Sequence, residues 1–365
     1  MKRHNRLKKH TLGLAAALLV TAGMSQIALA GDSVYVNTSS LRYRTSAQIK
    51  DNNIAGNLSY GQKLERVGTS GQWTMILLNG KKYYVSSAYV TSKKPASAGA
   101  VQTTSQTAAG AQTSGGTAIA LSSNYKYANY SKINSGTATL YRSTASNKKN
   151  KVVCVNAGHG TNGGGSVKTQ CHPDGSAKVT GGTTGAGATS AVAVSSGMTF
   201  ADGTAESKVT LAMAKVLKTK LLNAGYDVLM IRESDDVQLD NIARTVIANN
   251  NADCHIALHW DSTSSNKGAF FMSVPSNATY RAMEPVASHW KQHNQLGESL
   301  ISGLKSAGVK IYSKGSMEMD LTQTSYSTIP SVDIELGDKA SDHSGATLET
   351  LANGLLAGVN IFFGQ

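Results

Sequence analysis

Cysteine is scarce, with only Cys154, Cys171 and Cys254 in 365 residues. Three thiols exclude a disulfide-stapled scaffold, and the odd count leaves at least one unpaired within a monomer. Cys154 and Cys254 fall inside apolar runs, where a thiol behaves as a small hydrophobe. Cys171 precedes His172 in a polar stretch and is a candidate reactive or metal-binding thiol. Long apolar runs are also missing after residue 30, so the sequence predicts no membrane span beyond that point. Acidic residues are in short supply too: 22 Asp and Glu face 35 Lys and Arg, a formal net charge of +13.

Part of that excess sits at the start of the chain. Lys2, Arg3, Arg6, Lys8 and Lys9 precede a short apolar stretch, Thr11 through Ala22, and then Ala28-Leu29-Ala30. A basic start, an apolar centre and an Ala-x-Ala site predict a secretory signal peptide over residues 1–30 and a secreted, extracellular or wall-associated protein. No Cys follows the cleavage site, which argues against a lipoprotein. Removing those five positive charges leaves a mature chain of +8. A secreted cation of this size is expected either to be drawn to anionic surfaces such as cell-wall polymers, more than to nucleic acid, or to carry its charge for solubility alone.

Residues 31–93 carry short β-type runs, Ser33–Val36, Gln62–Val67, Trp73–Leu77 and Lys82–Val85, punctuated by Tyr60-Gly61, Ser70-Gly71 and Asn79-Gly80. Asn-Gly between apolar runs is a strong hairpin signal, and a small all-β barrel is the expected result. Trp73 and Tyr84 are expected to pack in its core. Residues 94–124 are Ala, Ser, Thr, Gly and Gln with almost no charge or large apolar side chain, a flexible tether by composition. Residues 125–150, with Tyr125, Tyr127, Tyr130 and Tyr141 among polar neighbours, form a lead-in segment to the larger domain, either a short strand or a loop.

From residue 151 onward, apolar runs alternate with helical patterns. Lys151–Ala157, Tyr226–Ile231, Cys254–Leu258, Ala269–Val274 and Val332–Leu336 read as strands. Glu206–Ala224, Val237–Asn250, Trp290–Ala307 and Leu348–Phe362 read as helices. The predicted class is α/β, a mostly parallel sheet covered by helices, spanning 151–365. Polar residues just past strand carboxyl ends build the site in such sheets. His159 ends one strand between two glycines, and His259 ends another in the equivalent place. Glu206 opens a helix that Thr204 is positioned to cap. Glu335 closes the apolar strand Val332–Leu336, where an unpaired carboxylate is costly. Two imidazoles and a carboxylate can hold a zinc ion with an open position, leaving a second carboxylate as base.

The stretch Val152-Val153-Cys154-Val155-Asn156-Ala157-Gly158-His159-Gly160, the helix-opening Glu206, the span Arg244 to Asp261 and Pro330-Ser331-Val332-Asp333-Ile334-Glu335-Leu336-Gly337 together resemble the zinc-dependent N-acetylmuramoyl-L-alanine amidases of the amidase-3 type. The resemblance covers about residues 151–363. It implies His159, Glu206 and His259 as Zn2+ ligands, Glu335 as the catalytic carboxylate and peptidoglycan as substrate. Ser40-Leu41-Arg42-Tyr43-Arg44, Gly71-Gln72-Trp73-Thr74 and Tyr84 to Val90 resemble bacterial SH3-like domains, which implies a wall-binding unit.

The chain departs from the family pattern in three places. A long Gly/Thr/Ser-rich segment, residues 161–204, separates Gly160 from Glu206 and is either a lid or rim of the site or disordered. Gly337-Asp338-Lys339-Ala340-Ser341 replaces the usual Gly-Phe-x-Ser-Asn. Asp333 and His255 stand where the family is apolar, on the same strand faces as Glu335 and His259. They are expected to form a buried pair that orients the site. Two other readings fit the same plan: a wall-binding or regulatory protein on a degenerate amidase fold, and a zinc peptidase cutting within the stem peptide.

Overall fold

The computed structural model describes residues 32–94, apart from 38–39, 49, 51–52 and 60, and residues 115–365. The expected signal peptide and most of the expected tether lie outside the described residues. The chain divides into two compact units between Thr107 and Ala108.

The first unit contains β1 (Asp32–Val36), β2 (Ser40–Arg44), β3 (Ile54–Ser59), β4 (Lys63–Ser70), β5 (Trp73–Leu78), β6 (Lys81–Ser86) and β7 (Val90–Thr91). They pair antiparallel in the order β3-β2-β6-β5-β4-β1-β7. Asn79 and Gly80 both take positive φ, 50° and 74°, so the backbone twist of the turn suits the β5–β6 hairpin it closes. Val34, Val36, Leu41, Leu58, Leu64, Ile76 and Val85 form the core, flanked by Tyr43 and Tyr83. Trp73 and Tyr84 are half-buried and outside that cluster, contrary to the sequence expectation. The pleat of β5 turns Thr74 and Ile76 inward instead.

The second unit is built on an eight-stranded mixed sheet. Its strands are β8 (Thr117–Ala120), β9 (Thr137–Tyr141), β10 (Val152–Ala157), β13 (Asp227–Met230), β14 (Cys254–Asp261), β15 (Ala269–Ser273), β16 (Ile311–Glu318) and β17 (Ser331–Asp338). The short pair β11 (Lys168–Gln170) and β12 (Ser190–Val192) stands apart as a hairpin. The order is β16-β15-β17-β14-β10-β13-β9-β8. The four central strands β13, β10, β14 and β17 are mutually parallel, while β9, β8 and β15 supply antiparallel pairings toward the edges. Because β8 pairs with β9, residues 117–120 belong to this sheet rather than to the tether assigned to 94–124.

Helices α1 (Glu206–Asn223), α2 (Asn241–Asn251), α3 (Ala278–Ala282), α4 (Val286–Ser306), α5 (Thr322–Tyr326) and α6 (Gly345–Phe363) complete the unit. Alternation along β10 shows the two faces: Val153, Val155 and Ala157 pack with α1, α4 and α6, and Cys154 packs with α2 through Ala243 and Ile247. By length and composition α6 is apolar enough to cross a bilayer, a property the sequence pattern did not predict. Its Leu348, Leu351, Leu355 and Val359 are buried in the core with Leu300 and Leu304 of α4, so its apolar character is that of a core helix. Thr204 does not cap α1; the N-cap is Ala205, with no side-chain bond.

Candidate metal centre and cleft

β10 and β14 are adjacent and parallel, so their carboxyl ends emerge side by side and deliver His159 and His259 to one place. His159 adopts φ 64°, a left-handed conformation between two flexible glycines that turns its ring back over the sheet end. The opening turn of α1 brings Glu206 to the same point. His159 Nε2 lies 2.8 Å from Glu206 Oε1. His259 Nδ1 lies 3.1 Å from His159 Nε2 and 3.2 Å from Glu206 Oε1. These three residues are the one group among the described residues whose donor atoms meet closely enough to share a metal ion.

The donor set fits zinc. Tetrahedral bonds of about 2.0 Å place neighbouring ligand atoms about 3.3 Å apart, close to the triangle seen here. His159 Nδ1 donates to the Ser195 carbonyl at 2.8 Å, which fixes the tautomer and leaves the Nε2 lone pair facing the other two groups. Glu206 Oε1 also accepts from Trp260 N at 3.0 Å, and Oε2 accepts from Met198 N at 2.9 Å. Burial would raise the Glu206 carboxyl, but its bonds to His159 and His259 outweigh that and hold it well below the usual carboxylate range. Burial lowers His159. Burial also acts to lower His259, yet the Glu206 bond and the charge of Asp333 push it up to about 9.

Glu335 is the β17 residue directly beside His259 in the sheet register. Its Oε2 is buried without a hydrogen-bond partner. Burial, opposed by the nearby His259, lifts its carboxyl to about 8. All four residues line one cleft of about 580 Å³.

The expected His255–Asp333 pair does not form. The register sets His255 against Ser331 and Asp333 against Ala257, so the two are staggered along neighbouring strands. Both ring nitrogens of His255 and Oδ1 of Asp333 are buried without partners. Asp333 lines the cleft and acts electrostatically on His259, whereas His255 lies deeper, near Arg244 and His293.

The segment 161–204 is ordered and forms a wall of the cleft, contributing Thr183, Thr184, Val194, Ser196 and Met198 among others. Cys171 within it is buried and its thiol is pushed up by burial, which removes it from the reactive candidates. His172 donates from Nε2 to Asp320 at 3.0 Å, so it is engaged away from any metal. In the altered stretch after Glu335, Asp338 is fully buried and accepts from the backbone of Lys267 and Ala340, closing the end of β17.

Two buried arginines support the centre and were not singled out from the sequence. Arg232 donates to the carbonyls of Ala157 and Gly158, and Arg244 to those of Ala157 and His159 at 3.2 and 2.7 Å. They satisfy the carbonyls that the sharp turn at His159 frees from the sheet. The available signal was a cation at a core phase of α2, between Ile242-Ala243 and Val246-Ile247.

A family model described as N-acetylmuramoyl-L-alanine amidase matches residues 153–354, which include His159, Glu206, His259 and Glu335. No curated protein sequence matches significantly. Among solved structures, the apo form of Ami1, an N-acetylmuramyl-L-alanine amidase from Mycobacterium abscessus, aligns with a TM-score of 0.45 at 19% identity, over 58% of this chain and 98% of that one. Ami1 from Mycobacterium smegmatis gives 0.45 at 20% identity over 60% and 99%. The N-acetylmuramoyl-L-alanine amidase AmiC2 of Nostoc punctiforme gives 0.42 at 15% over 60% and 99%.

Proposed function

The chain belongs to the N-acetylmuramoyl-L-alanine amidase family, and we propose on that footing that it is a secreted zinc enzyme cleaving the amide between N-acetylmuramic acid and L-alanine in peptidoglycan. The observation that carries the zinc reading is the meeting of His159 Nε2, Glu206 Oε1 and His259 Nδ1 within 3.2 Å of one another, beside the unpartnered carboxyl of Glu335. Zinc held by those three atoms supplies a Lewis acid that polarises a carbonyl and makes water easier to deprotonate. Glu335 takes a proton from the attacking water as the oxygen adds to the lactyl carbonyl carbon. As the carbon–nitrogen bond breaks, Glu335 returns that proton to the departing nitrogen. The products are a lactyl carboxylate and a peptide with a free amine on L-alanine. Burial raises the Glu335 carboxyl above the usual carboxylate range, and the charge of a bound cation beside it would act to lower it again.

In this reading residues 1–30 direct secretion and the first unit is an SH3-like module that holds the enzyme on the wall. The basic balance of the chain supports attraction to anionic wall polymers.

The test is Glu335→Gln on purified peptidoglycan. The variant should retain one zinc per chain and lose turnover by at least about 10³-fold, whereas His159→Ala should lose both metal and activity. Substantial hydrolysis by Glu335→Gln would refute the assignment. Mass spectrometry of fragments should find peptides beginning at L-alanine and intact glycan chains; cuts inside the stem peptide would make the protein a peptidase.

A further inference from the structure

We propose that the cleft wall 161–204 and the metal centre are thermodynamically linked, with Asp320 as the positioning residue that clamps the wall onto the sheet. The proposal rests on the zinc reading of the site.

The far end of the wall is part of the ligands' support. Ser195 accepts from His159, and Met198 exchanges bonds with Glu206, its N–H donating to Oε2 and its carbonyl accepting from the Glu206 backbone at 3.0 Å. Between them Gly197, at φ +81°, lies flat against the site. A methyl there would stand 2.8 Å from both Glu206 Oε2 and His159 Cδ2. The wall therefore packs directly on these two residues in the positions where their donor atoms converge.

The middle of the wall, residues 172–180, is gathered around one carboxylate. Asp320, fully buried just after β16, accepts from His172 Nε2 at 3.0 Å, Lys178 Nζ at 3.0 Å, Val179 N at 2.8 Å and Thr180 N at 3.0 Å, and also from the Thr180 hydroxyl. Burial would raise its carboxyl, but these bonds hold it well below the carboxylate range. Backbone pairing connects this middle part to the stretch beside the ligands. The β11–β12 ladder, Cys171 N to Thr189 O, Lys178 N to Ala188 O and Ala193 N to Val167 O tie residues 167–178 to 188–193.

Composition makes the wall dependent on polar anchors. The segment is mostly Gly, Ser, Thr and Ala, and its buried large apolar side chains are few, chiefly Val194 and Phe200. Ordering some forty such residues costs roughly 1 kcal/mol or more each in backbone entropy, with little apolar burial to offset it. Order must come from polar anchors. Besides Asp320 and the ligand pair His159–Glu206, these include Thr161 Oγ1 donating to Leu239 O at 2.9 Å, the Tyr130 and Tyr326 hydroxyls donating to Pro173 O and Gln170 O at 3.0 and 3.2 Å, and Asn241 N donating to Ala193 O at 3.1 Å. Whatever fixes the ligands favours the ordered wall, and by reciprocity the ordered wall favours metal binding. The same ion would then serve chemistry and complete the cleft that receives substrate.

The full chain tests this by amide hydrogen exchange with zinc bound and with zinc chelated, and by competition for zinc against a chromogenic chelator. Zinc should slow exchange throughout residues 171–198, including the amides at Asp320, and not only at the ligands. Asp320→Asn should weaken zinc binding about tenfold, the effect typical of losing support behind metal ligands. Lys178→Met, which removes one donor and leaves the carboxylate, should weaken it less and covers the case in which Asp320→Asn does not fold. Zinc protection confined to residues near 159, 206 and 259, or wild-type zinc affinity in the folded variants, overturns the linkage while leaving the metal site intact. Failure of the wild type to bind zinc overturns both the linkage and the zinc reading. Neither readout uses hydrolysis, so loss of the amidase assignment alone would not disturb the result.

Discussion

Gly158 gives the centre a steric requirement that can be tested at one residue. A Cβ there would fall 2.2 Å from His259 Cε1. Because the obstacle is a side-chain ring rather than backbone, the fold can yield by displacing His259, and the ring then leaves the position from which Nδ1 faces Glu206. Gly158→Ala should therefore cost the fold only about 1–3 kcal/mol, while zinc affinity falls about ten- to a hundredfold. Thermal unfolding with zinc chelated and chelator competition separate the two quantities; unchanged zinc affinity would show that the ring tolerates the methyl. At this scale the sequence was informative where chemistry is local. His159, Glu206, His259 and Glu335 could be named because each sits at a strand or helix end with a polar side chain that its setting does not otherwise explain. Ser195 was not legible, because its contribution is a main-chain carbonyl that any residue could provide. Asp333 and His255 were placed on the correct faces but not in the correct register, which strand pairing sets and a single strand's alternation does not reveal.

The elements around the sheet carry a second consequence, seen where β14 and β17 meet α4. His255 on β14 and His293 on α4 are both buried, and burial lowers each to about 3. His293 Nδ1 accepts from the first amide of β17, Ser331 N, at 3.0 Å, which requires the neutral ring. In the unfolded chain a histidine titrates near pH ~6.5. A depressed native pKa means the unfolded state takes up protons first as pH falls. Stability from these two groups is complete above about pH 6.5 and is lost progressively toward pH 3, each contributing a slope of up to about 1.4 kcal/mol per pH unit. Glu335 runs the other way, since its raised carboxyl is protonated earlier in the folded state. The informative comparison is thus between the wild type and His255→Phe, in which the carboxyl contribution is common. With zinc chelated, urea unfolding between pH 7 and pH 5 should show a shallower acid loss in the variant, by about 1 kcal/mol per pH unit; equal slopes would mean that His255 is protonated or solvated in the fold. Among the elements themselves, β10, β13, β14, β15 and β17 and the four long helices were legible from periodicity. Strand β16, whose Ile311–Glu318 alternates weakly and is largely polar and exposed, was not. Nor was β8, while β9 falls in the lead-in segment that the sequence allows as either a short strand or a loop; both gain their hydrogen bonds and partial burial from the sheet they join.

For the whole molecule, the decisive feature is that each unit has its own apolar core. The first is closed by Val34, Val36, Leu64, Ile76 and Val85, and the second by the residues on both faces of the mixed sheet. A domain with a complete core and a complete site does not depend on its neighbour for either. A chain beginning at residue 108 should therefore keep the melting temperature and zinc content of the second unit, and hydrolyse a small soluble muropeptide within about twofold of the full chain. Its binding to intact wall should fall about tenfold or more, since tethering two modules to one surface raises avidity through effective concentration. If part of that attraction is to anionic polymer, the difference between full chain and truncation should shrink between about 50 mM and 500 mM salt, as screening shortens the reach of the positive charge. Co-sedimentation with purified wall at the two salt concentrations measures this directly. Equal sedimentation of the two chains would remove the wall-binding role from the first unit, and loss of soluble-substrate activity in the truncation would show that the second unit needs the first for catalysis. Because the two assays report different units, each result assigns its function to one of them without reference to how they are arranged.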